Sequence, residues 1–417
     1  MKQGNKFRCY PTNEEQKKAL EQHFGAVRFI YNKLLHVKST LYSHCKCSIS
    51  KTKLNEHILV LKECYPWLKN VNSQSLQQAN KNLDNAYQRF FAGLGEYPKQ
   101  HKRKDNHFSF QVTQRYKINL TTSEIFLPNI GWMKIVLHRE LFDSYFFEQN
   151  IKTTVINNEI IMEHDINPVY LRTLTVSRTS AGRYHVSILT EDGTEIPRTQ
   201  EYTEDNTVGV DVGIKTYAAL STGEMIANPK FLKKGLKKLK MLQRRVSRRV
   251  KGAANRKKAV KQLAKQHQLV SNQRNDFQHK VSIKLIRENQ AVAVETLNIK
   301  GMQKNHCLAQ AVSDAAWYSF VLKLTYKAVW FGKTVLKIDQ WEPSSKTCNI
   351  CGYKNKELTL KVREWQCPEC NTMHDRDINA AINIKKFALN TSGTEGRACR
   401  VIPNRESYES GSLTALA

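Results

Sequence analysis

Four cysteines near the C-terminus have the spacing of a metal site. Cys348 and Cys351 form one CxxC pair, and Cys367 and Cys370 form a second pair after fifteen intervening residues. Two short CxxC turns that face each other supply the four thiolates of a tetrahedral zinc site. His374 is an alternative ligand, but four thiolates already complete such a site. The spacing therefore predicts a structural zinc ribbon, which by itself indicates no catalytic activity.

Three carboxylates occur in places where an acid is unusual. Asp211 lies inside the apolar run VGVDV, Glu295 ends the apolar run AVAVE, and Asp377 opens the last helical segment, in HDRDINAAINI. A buried carboxylate is costly unless it is paired or binds a metal. Any one of them could be a satisfied structural acid, but three in so basic a chain favour a shared site.

The order of these acids along the chain also indicates a chemistry. A strand aspartate, a strand glutamate and a helix aspartate follow one another in RNase H-like nucleases. Side chains at one end of a sheet converge on one site. Three carboxylates there could hold two Mg²⁺ ions around a scissile phosphate. We therefore predict a multidomain α/β protein with an RNase H-like nuclease into which the ribbon is inserted.

Charge and cysteine usage narrow the class of protein. The 417 residues include 66 Lys and Arg against 37 Asp and Glu, a formal net charge of +29. Such an excess favours a polyanionic partner, and a membrane surface is the weaker alternative because no apolar run reaches the length of a span. A cytoplasmic, nucleoid-associated protein is expected. Scattered cysteines outside the CxxC pairs fit buried thiols in a reducing compartment: Cys9, Cys45, Cys47, Cys64, Cys307 and Cys399.

The elements that must position these residues follow from periodicity. Lys6 to Tyr10 predicts a strand, and Thr12 with Glu15 predicts a capping box at the start of a helical region that extends to about Leu94. Alternating apolar residues from Phe108 to about Glu191 predict strands, including a hairpin from Leu171 to Leu189. Two further strands are predicted within 208–220 and one at 291–299. A helix is predicted at 314–331, a strand at 334–339 and a final helix at 377–389.

A strongly basic segment lies between the two strand acids. Lys230 to Arg274 contains seventeen Lys and Arg and no Asp or Glu, and its apolar residues keep helical spacing up to Val250. Most charge runs are solvated helix faces, but this many unbalanced charges would repel one another without a polyanion. Arg244, Arg245, Arg248 and Arg249 are therefore candidate phosphate contacts.

Several of these segments together resemble one protein family. VGVDVGIKTYAAL, AVAVETLNIKGM, PSSKTCNICG and HDRDINAAINI are similar to the TnpB/OrfB family of insertion sequences, which is related to type V CRISPR effectors. The resemblance covers roughly Lys6 to Leu389. It implies an RNA-guided DNA endonuclease that uses Mg²⁺ and a structural Zn²⁺, binds a guide RNA and double-stranded target DNA, and acts beside a short flanking motif. A monomer is favoured.

The resemblance also implies a division into domains. A β-barrel-like wedge domain carries a helical recognition insertion, and a RuvC nuclease domain is interrupted by the ribbon. An extra stretch from Phe142 to Tyr170 departs from the family pattern. The implied bounds are 1–11 and 106–204 for the wedge, 12–105 for the recognition domain, 205–342 and 375–389 for the nuclease with basic helices at 230–275, 343–374 for the ribbon, and 390–417 for a disordered tail.

Site residues follow from the same resemblance. Asp211, Glu295 and Asp377 match the three RuvC acids, and Asp377 is preferred to Asp375 because the third acid of the family precedes x-N-A-A. Asp339 is assigned to a surface turn. The helix from Leu76 is a candidate reader of the flanking motif, through the polar residues Gln77, Gln78, Asn80 and Lys81. Two alternatives stay open: an RNA-guided repressor that does not cleave, and an RNase H-like transposase.

Overall fold

A computed structural model describes residues 2–105, 108–138, 154–156, 159–161, 169–191, 195–359 and 362–392. The chain divides into two compact units, one up to residue 194 and one that begins at residue 195. None of the helices in these ranges is both long and apolar enough to cross a membrane. Most of the unusual stretch from 142 to 170, and the tail after Ser392, lie outside the described residues.

The first unit combines helices with an antiparallel, half-barrel sheet. Its helices are α1 (Glu14–Cys45), α2 (Lys51–Cys64) and α3 (Ser73–Phe91), with 3₁₀ turns at Pro66–Asn70 and Arg103–Asp105. Its strands are β1 (Lys2–Tyr10), β2 (Phe108–Val112), β3 (Lys117–Asn119), β4 (Glu124–Leu127), β5 (Gly131–Val136), β6 (Thr154–Ile156), β7 (Glu159–Ile161), β8 (Val169–Arg178) and β9 (Tyr184–Glu191).

The N-terminal strand joins the later strands of this unit. The described strands pair in the order β3-β4-β5-β1-β9-β8-β7-β6, and β2 also pairs with β8. The predicted hairpin is β8–β9, with Val176 opposite Val186. Leu20 and Phe24 of α1 pack into the core of this sheet, while the next turns of α1 pack on α2 and α3.

Some local predictions are wrong, most of them in this unit. The cap of α1 is Asn13, whose side chain accepts a hydrogen bond from Gln16 N at 2.8 Å, while the Gln16 side chain accepts from Thr12 N. The capping box therefore lies one residue beyond the predicted Thr12 and Glu15 pair. Among the scattered cysteines in the described ranges only Cys9 is buried, so the expectation of buried thiols fails for Cys45, Cys47, Cys64 and Cys307.

The second unit is a mixed sheet with helices on both faces. Its strands are β10 (Thr207–Val212), β11 (Thr216–Leu220), β12 (Met225–Ala227), β13 (Ala291–Glu295) and β14 (Thr334–Ile338), in the order β12-β11-β10-β13-β14. Strands β10, β13 and β14 are parallel, so their carboxyl ends meet at one edge. The small β15 (Glu364–Gln366) and β16 (Met373–Asp375) pair with each other. Its helices are α4 (Phe231–Ser247), α5 (Ala254–Glu288), α6 (Ile299–Lys304), α7 (His306–Ala315), α8 (Trp317–Trp330) and α9 (Arg376–Ser392).

Alternation along the strands separates two cores. Val208, Val210, Val292 and Val294 face the layer that contains α5 and α8. Residues of the opposite parity face α9: Ala291, Ala293, Leu336 and Ile338, which pack with Ile384 and Ala388. A side chain at the end of one of these strands therefore points to the α9 side of the sheet if it has the same parity as the second set.

Two helix boundaries differ from the sequence predictions. Ala316 has a left-handed φ of 50°, so the helix predicted to begin at Asp314 is split into α7 and α8. The Asp314 carboxylate accepts hydrogen bonds from the Leu232 and Lys233 amides, at 2.9 and 3.2 Å, and so caps the basic helix α4 from outside. The final helix extends three residues past the predicted end at Leu389.

Candidate functional site

The two strand acids lie side by side at the carboxyl edge of the second sheet. Val210 of β10 pairs in register with Val294 of β13, and Asp211 and Glu295 are the next residue of each strand. Asp211 has the same parity as Gly209, and Glu295 has the same parity as Ala293. Both carboxylates therefore lie on the α9 face, and both are only partly exposed.

Gly209 brings the helix acid to the same place. A Cβ atom built on Gly209 would lie 2.0 Å from the Ala381 carbonyl oxygen and 2.8 Å from the Lys385 amide nitrogen. Helix α9 thus crosses β10 in direct backbone contact, which only glycine permits. Asp377 lies about one turn before Ala381 on this helix and points back toward the end of β10.

Electrostatics connect the three carboxylates, called here the acid cluster. Burial, together with the negative charges of Glu295 and Asp377, raises the pKa of Asp211 to about 8. Burial raises the pKa of Glu295 to about 7. Asp211 and Glu295 therefore hold protons at neutral pH more readily than ordinary carboxyl groups do. Carboxyl groups with pKa values raised in this way are typical of a metal or catalytic site.

An arginine from the ribbon also contacts the acid cluster. Arg363 donates to both carboxylate oxygens of Asp377, at 2.9 and 3.2 Å. The charges of Arg376 and Arg363 oppose the rise in the pKa of Asp211. No sequence pattern indicated Arg363, since it precedes the second CxxC pair in an otherwise ordinary polar stretch.

The neighbouring acids have other roles. Asp375 Oδ1 accepts hydrogen bonds from the amides of Asp377 and Ile378, at 2.9 and 3.0 Å, and so caps α9. Asp339 is exposed and accepts from the Trp341 amide in a turn, as predicted. The charge of Asp377, and not that of Asp375, is among those that raise the pKa of Asp211, so Asp377 is the acid grouped here with Asp211 and Glu295.

The four cysteines form a cluster that could hold a metal such as zinc. Their Sγ atoms all lie within 4.8 Å of one another, with 3.6 Å between Cys348 and Cys370 and 3.5 Å between Cys351 and Cys367. Thiolates at about 2.3 Å from a tetrahedral zinc would be about 3.8 Å apart. The donor set and its spacing therefore fit zinc.

The two cysteine turns have the same backbone pattern. Cys348 N donates to Tyr353 O at 2.8 Å, and Cys367 N donates to Thr372 O at 2.9 Å. Each turn closes at a residue with positive φ, Gly352 at 80° and Asn371 at 57°. Hydrogen bonding with the side chain and backbone of Thr372 lowers the pKa of Cys370 to about 6, which favours the thiolate that a metal requires.

The ribbon and α9 are joined by the motif that contains Asp377. His374 Nε2 lies 3.1 Å from Cys348 Sγ, so the imidazole contacts one of the four sulfurs. Two buried asparagines, missed in the sequence, donate from α9 to the loop before the first cysteine. Asn379 bonds Thr347 O at 2.8 Å, and Asn383 bonds Thr347 O at 2.6 Å and Ser344 O at 2.8 Å.

The candidate nucleic-acid contacts lie on exposed helix surfaces. Gln77 and Lys81 are exposed on α3, and Arg244, Arg245, Arg248 and Arg249 are exposed on or just after α4. Arg245 Nη1 also contacts Gln262 Oε1 of α5 at 3.1 Å, which joins the two helices into a basic hairpin, residues 231–288. Asn80 is wrong as a reader, because it is buried and donates to Lys51 O and Asn55 Oδ1. Val250 lies exposed beyond the end of α4.

Comparison with known families gives matches along most of the chain. Residues 185–306 match the OrfB_IS605 family, described as "Probable transposase". Residues 317–384 match the Cas12f1-like TNB domain, and residues 1–47 match a helix-turn-helix domain of OrfB proteins. In the present structure residues 2–45 form β1 and the single long helix α1.

A solved structure shares the fold. The protein in a cryo-electron microscopy structure of a Cas12f1–sgRNA–target DNA complex superposes with a TM-score of 0.52 at 13% identity, covering 92% of this chain and 98% of that one. At this identity the likeness concerns the mixed α/β fold alone.

Two individual relatives match over nearly their whole length, and a third, from mimivirus, matches over 73% of its own length. A Streptomyces pristinaespiralis protein named "Putative RNA-guided DNA endonuclease" is 37% identical over 99% of this chain and 94% of its own. InsQ of Escherichia coli K12, which carries the same description, is 28% identical over 92% of this chain and 91% of its own. A mimivirus protein named "TnpB-like protein L79" is 22% identical over 93% of this chain. With these matches across both units, the chain belongs to the TnpB/OrfB family.

Proposed function

We propose that this protein is an RNA-guided DNA endonuclease of a transposable element, with an RNase H-like nuclease of the RuvC type in its second unit. The observation that carries the proposal is the convergence of Asp211, Glu295 and Asp377 on one face of the sheet. These are three carboxylates from three elements, two of them with raised pKa values. Structural acids have no need to crowd in this way, whereas a nuclease metal site requires it.

The acid cluster would hold Mg²⁺, and two ions would suit three carboxylates. Hard oxygen ligands and mutual repulsion among the acids fit a divalent cation. Mg²⁺ bound there supplies an activated water and stabilises charge on the oxygens of the scissile phosphate. Arg363 restrains Asp377 and is placed to meet a phosphate near the acids. The four cysteines would hold Zn²⁺ in a structural site.

The remaining surfaces would bind nucleic acid. The first unit would serve as wedge and recognition domains, with Gln77 and Lys81 toward the duplex beside the target. The basic hairpin would follow a guide RNA and its hybrid with target DNA, since the protein then reads backbone and shape while base pairing reads sequence. A cytoplasmic, nucleoid-associated monomer stays a prediction.

Two other functions remain as alternatives to test. A repressor on this fold should lack one of the three acids, and all are present. A transposase would share the metal chemistry but would join DNA ends instead of leaving hydrolysed ends. The relatives named as endonucleases favour cleavage over both alternatives.

The deciding experiment begins with the RNA that copurifies with the protein. A defined structured RNA is expected, and the purified complex should cut a plasmid that carries the matching target only when Mg²⁺ is added. Asp377→Ala should abolish cutting with guide and target binding kept, while Asp375→Ala should mainly weaken the cap of α9. Absence of a defined RNA, or joined instead of hydrolysed ends, would contradict the proposal.

Charge reversal in the basic hairpin tests the guide-binding surface. Arg244, Arg245, Arg248 and Arg249 changed together to Glu should weaken guide binding whatever the guide sequence. Each lost phosphate contact removes about 0.7 to 0.9 from the slope of log affinity against log salt, so four lost contacts flatten it by about 3. Filter binding at several salt concentrations measures the slope.

The matched control changes the same four arginines to lysine. Because charge is kept, the salt slope should stay close to that of the native protein, and circular dichroism should show all three proteins folded. An unchanged slope in the glutamate variant would mean that this part of the hairpin faces solvent in the complex.

Removal of a cysteine ligand tests the zinc site and its link to α9. Cys367→Ser should lower bound zinc from one atom per chain to a small fraction and should slow cleavage strongly, because His374, Asn379 and Asn383 tie the ribbon to the helix of Asp377. Elemental analysis and cleavage rates measure both effects. Cys64→Ser, at an exposed free cysteine, should change neither. Active protein without zinc would refute the assignment.

A further inference from the structure

The first unit contains a groove along α1, far in sequence from the acid cluster. Its volume is about 580 Å³, which is enough for a nucleotide or a small ligand. It is called here the α1 groove and is lined by Gly25, Arg28, Phe29, Asn32, Lys33, His36, Trp67 and Gln100. None of the functional assignments above uses these residues.

One wall of the α1 groove is aromatic and held in place by packing. The Trp67 ring meets the Phe29 ring edge to face at a centroid distance of 5.4 Å, and Phe29 meets Tyr65 at 4.9 Å. Trp67 is nevertheless 42% exposed. A large aromatic ring that is fixed by its neighbours and open to solvent is a platform on which a base can stack.

The rest of the lining is basic. Arg28, Lys33 and His36 follow one another along α1, and the lining of this groove contains no carboxylate. Lys33 Nζ lies 5.7 Å from the centroids of both Phe29 and Tyr65, so the cation and the aromatic wall are adjacent. Cations beside an exposed aromatic ring match the phosphate and the base of one nucleotide.

Gly25 leaves room that the protein itself does not fill. It lies inside the 32-residue helix α1, where glycine costs helix stability relative to alanine. A Cβ atom built there would have no heavy atom of the described residues within 4 Å, apart from its own helix backbone. Packing therefore does not require this glycine, whereas close approach of a ligand to the helix would.

The opposite side of the groove is fixed before any ligand binds. Asn32 Nδ2 donates to His101 O at 2.9 Å and Asn32 Oδ1 accepts from His101 N at 2.8 Å. The His101 ring also stacks on Tyr31 at 4.1 Å. These contacts hold the loop that carries Gln100 against α1, so the groove is preformed and little ordering is needed on binding.

We propose that the α1 groove binds one unpaired nucleotide of a single strand, its base stacked on Trp67 and its phosphate held by Arg28 and Lys33. The site would be independent of base identity, because stacking and phosphate contacts carry no sequence information. It rests on the nucleic-acid partners of the proposed function but not on the acid cluster. The strand could be RNA or DNA, which offer the same base and phosphate chemistry to this site.

The test compares two matched tryptophans in the full chain. Trp67→Ala should weaken binding of labelled 12-nucleotide oligomers about five- to one-hundred-fold in fluorescence anisotropy. Trp132→Ala should leave affinity unchanged, although Trp132 is 43% exposed and packs on Phe126 at 5.5 Å, almost as Trp67 packs on Phe29. Loss with oligo-U only assigns the site to RNA, loss with oligo-dT only assigns it to DNA, and loss with both supports a shared site.

A second variant and a crosslink keep the test independent of folding and of catalysis. Gly25→Glu should fold, since its Cβ meets open space, and should weaken binding at least ten-fold more than Gly25→Gln. Oligomers with one 5-iodouracil should crosslink to the peptide that contains Trp67. Unchanged affinity in Trp67→Ala and Gly25→Glu, with crosslinks confined to other peptides, would overturn the proposal. Because no Mg²⁺ is added, failure of cleavage would leave this result unaffected.

Discussion

Asp211→Asn is expected to abolish DNA cleavage and to stabilise the metal-free protein. The carboxylate is partly buried beside Glu295 and Asp377, which together with burial raise its pKa to about 8. An amide cannot bind Mg²⁺ as a carboxylate does, so the cleavage rate should fall about a thousand-fold or more. The same amide removes a negative charge that the fold disfavours, so the melting temperature without metal should rise.

The pH dependence follows from the direction of this pKa shift. Well below pH 3.8 the Asp211 carboxyl is protonated in both the folded and the unfolded state, so the shift makes no difference to stability. As the pH rises from its ordinary pKa of 3.8 to about 8, the unfolded state loses the proton while the folded state retains it, so the free energy of unfolding falls. Above about 8 the loss is complete.

Thermal denaturation at pH 6 and pH 8, with and without Mg²⁺, measures these effects. Mg²⁺ should raise the melting temperature of the native protein, more at pH 8 than at pH 6, and should have little effect on Asp211→Asn. Asp205→Asn, at an exposed position, is the matched control and should behave like the native protein. Normal cleavage by Asp211→Asn would show that the acid cluster is not the nuclease site.

Gly209→Ala is expected to impair cleavage through backbone displacement alone. The added Cβ would lie 2.0 Å from the Ala381 carbonyl oxygen, so α9 must move outward by about 1 Å or more to restore ordinary contact. Asp377 moves with the helix, and a displacement of this size costs about one-hundred-fold in rate when groups must converge. The free energy of unfolding should fall by about 1 to 3 kcal/mol.

Gly4→Ala provides the control for this prediction. Gly4 also lies within a strand, but a Cβ there would have no heavy atom of the described residues within 4 Å, so neither cleavage nor melting temperature should change appreciably. Zinc content should remain one atom per chain in both variants, which separates helix displacement from ribbon unfolding. Native cleavage by Gly209→Ala would mean that α9 adjusts without moving Asp377.

Features that depend on neighbouring residues could be predicted from the sequence. The CxxC spacing predicts a four-sulfur cluster because each turn brings its own two thiols together, and the structure contains that cluster. Apolar runs around Asp211 and Glu295 predict buried strands, and β10 and β13 confirm them. The glycine within β10 also indicates that another backbone approaches closely there. It does not indicate that the approaching element is α9.

Other local predictions were wrong because tertiary contacts, and not the local sequence, select the conformation at those positions. Thr12 and Asn13 can both cap a helix. In the structure Asn13 accepts from the Gln16 amide, and the Gln16 side chain donates to Trp132 O in the sheet. Asn80 looks like an exposed polar reader in the sequence, but α2 packs against α3 and buries its amide. Ala316 has no unusual sequence context, and its left-handed conformation accompanies the change of direction between α7 and α8.

By itself the sequence determined which side chains this protein has for chemistry: four thiols in two turns, two acids at strand ends, one acid at a helix start and a basic segment from Lys230 to Arg274. Only the tertiary structure decided that α9 crosses β10 at Gly209, that Arg363 pairs with Asp377, and that Gly25 and Trp67 share a groove. The physical reason is the separation along the chain of the residues that each feature requires. Turns and periodicity are encoded within a few residues, whereas these contacts join segments that are distant in sequence and meet only when the cores pack.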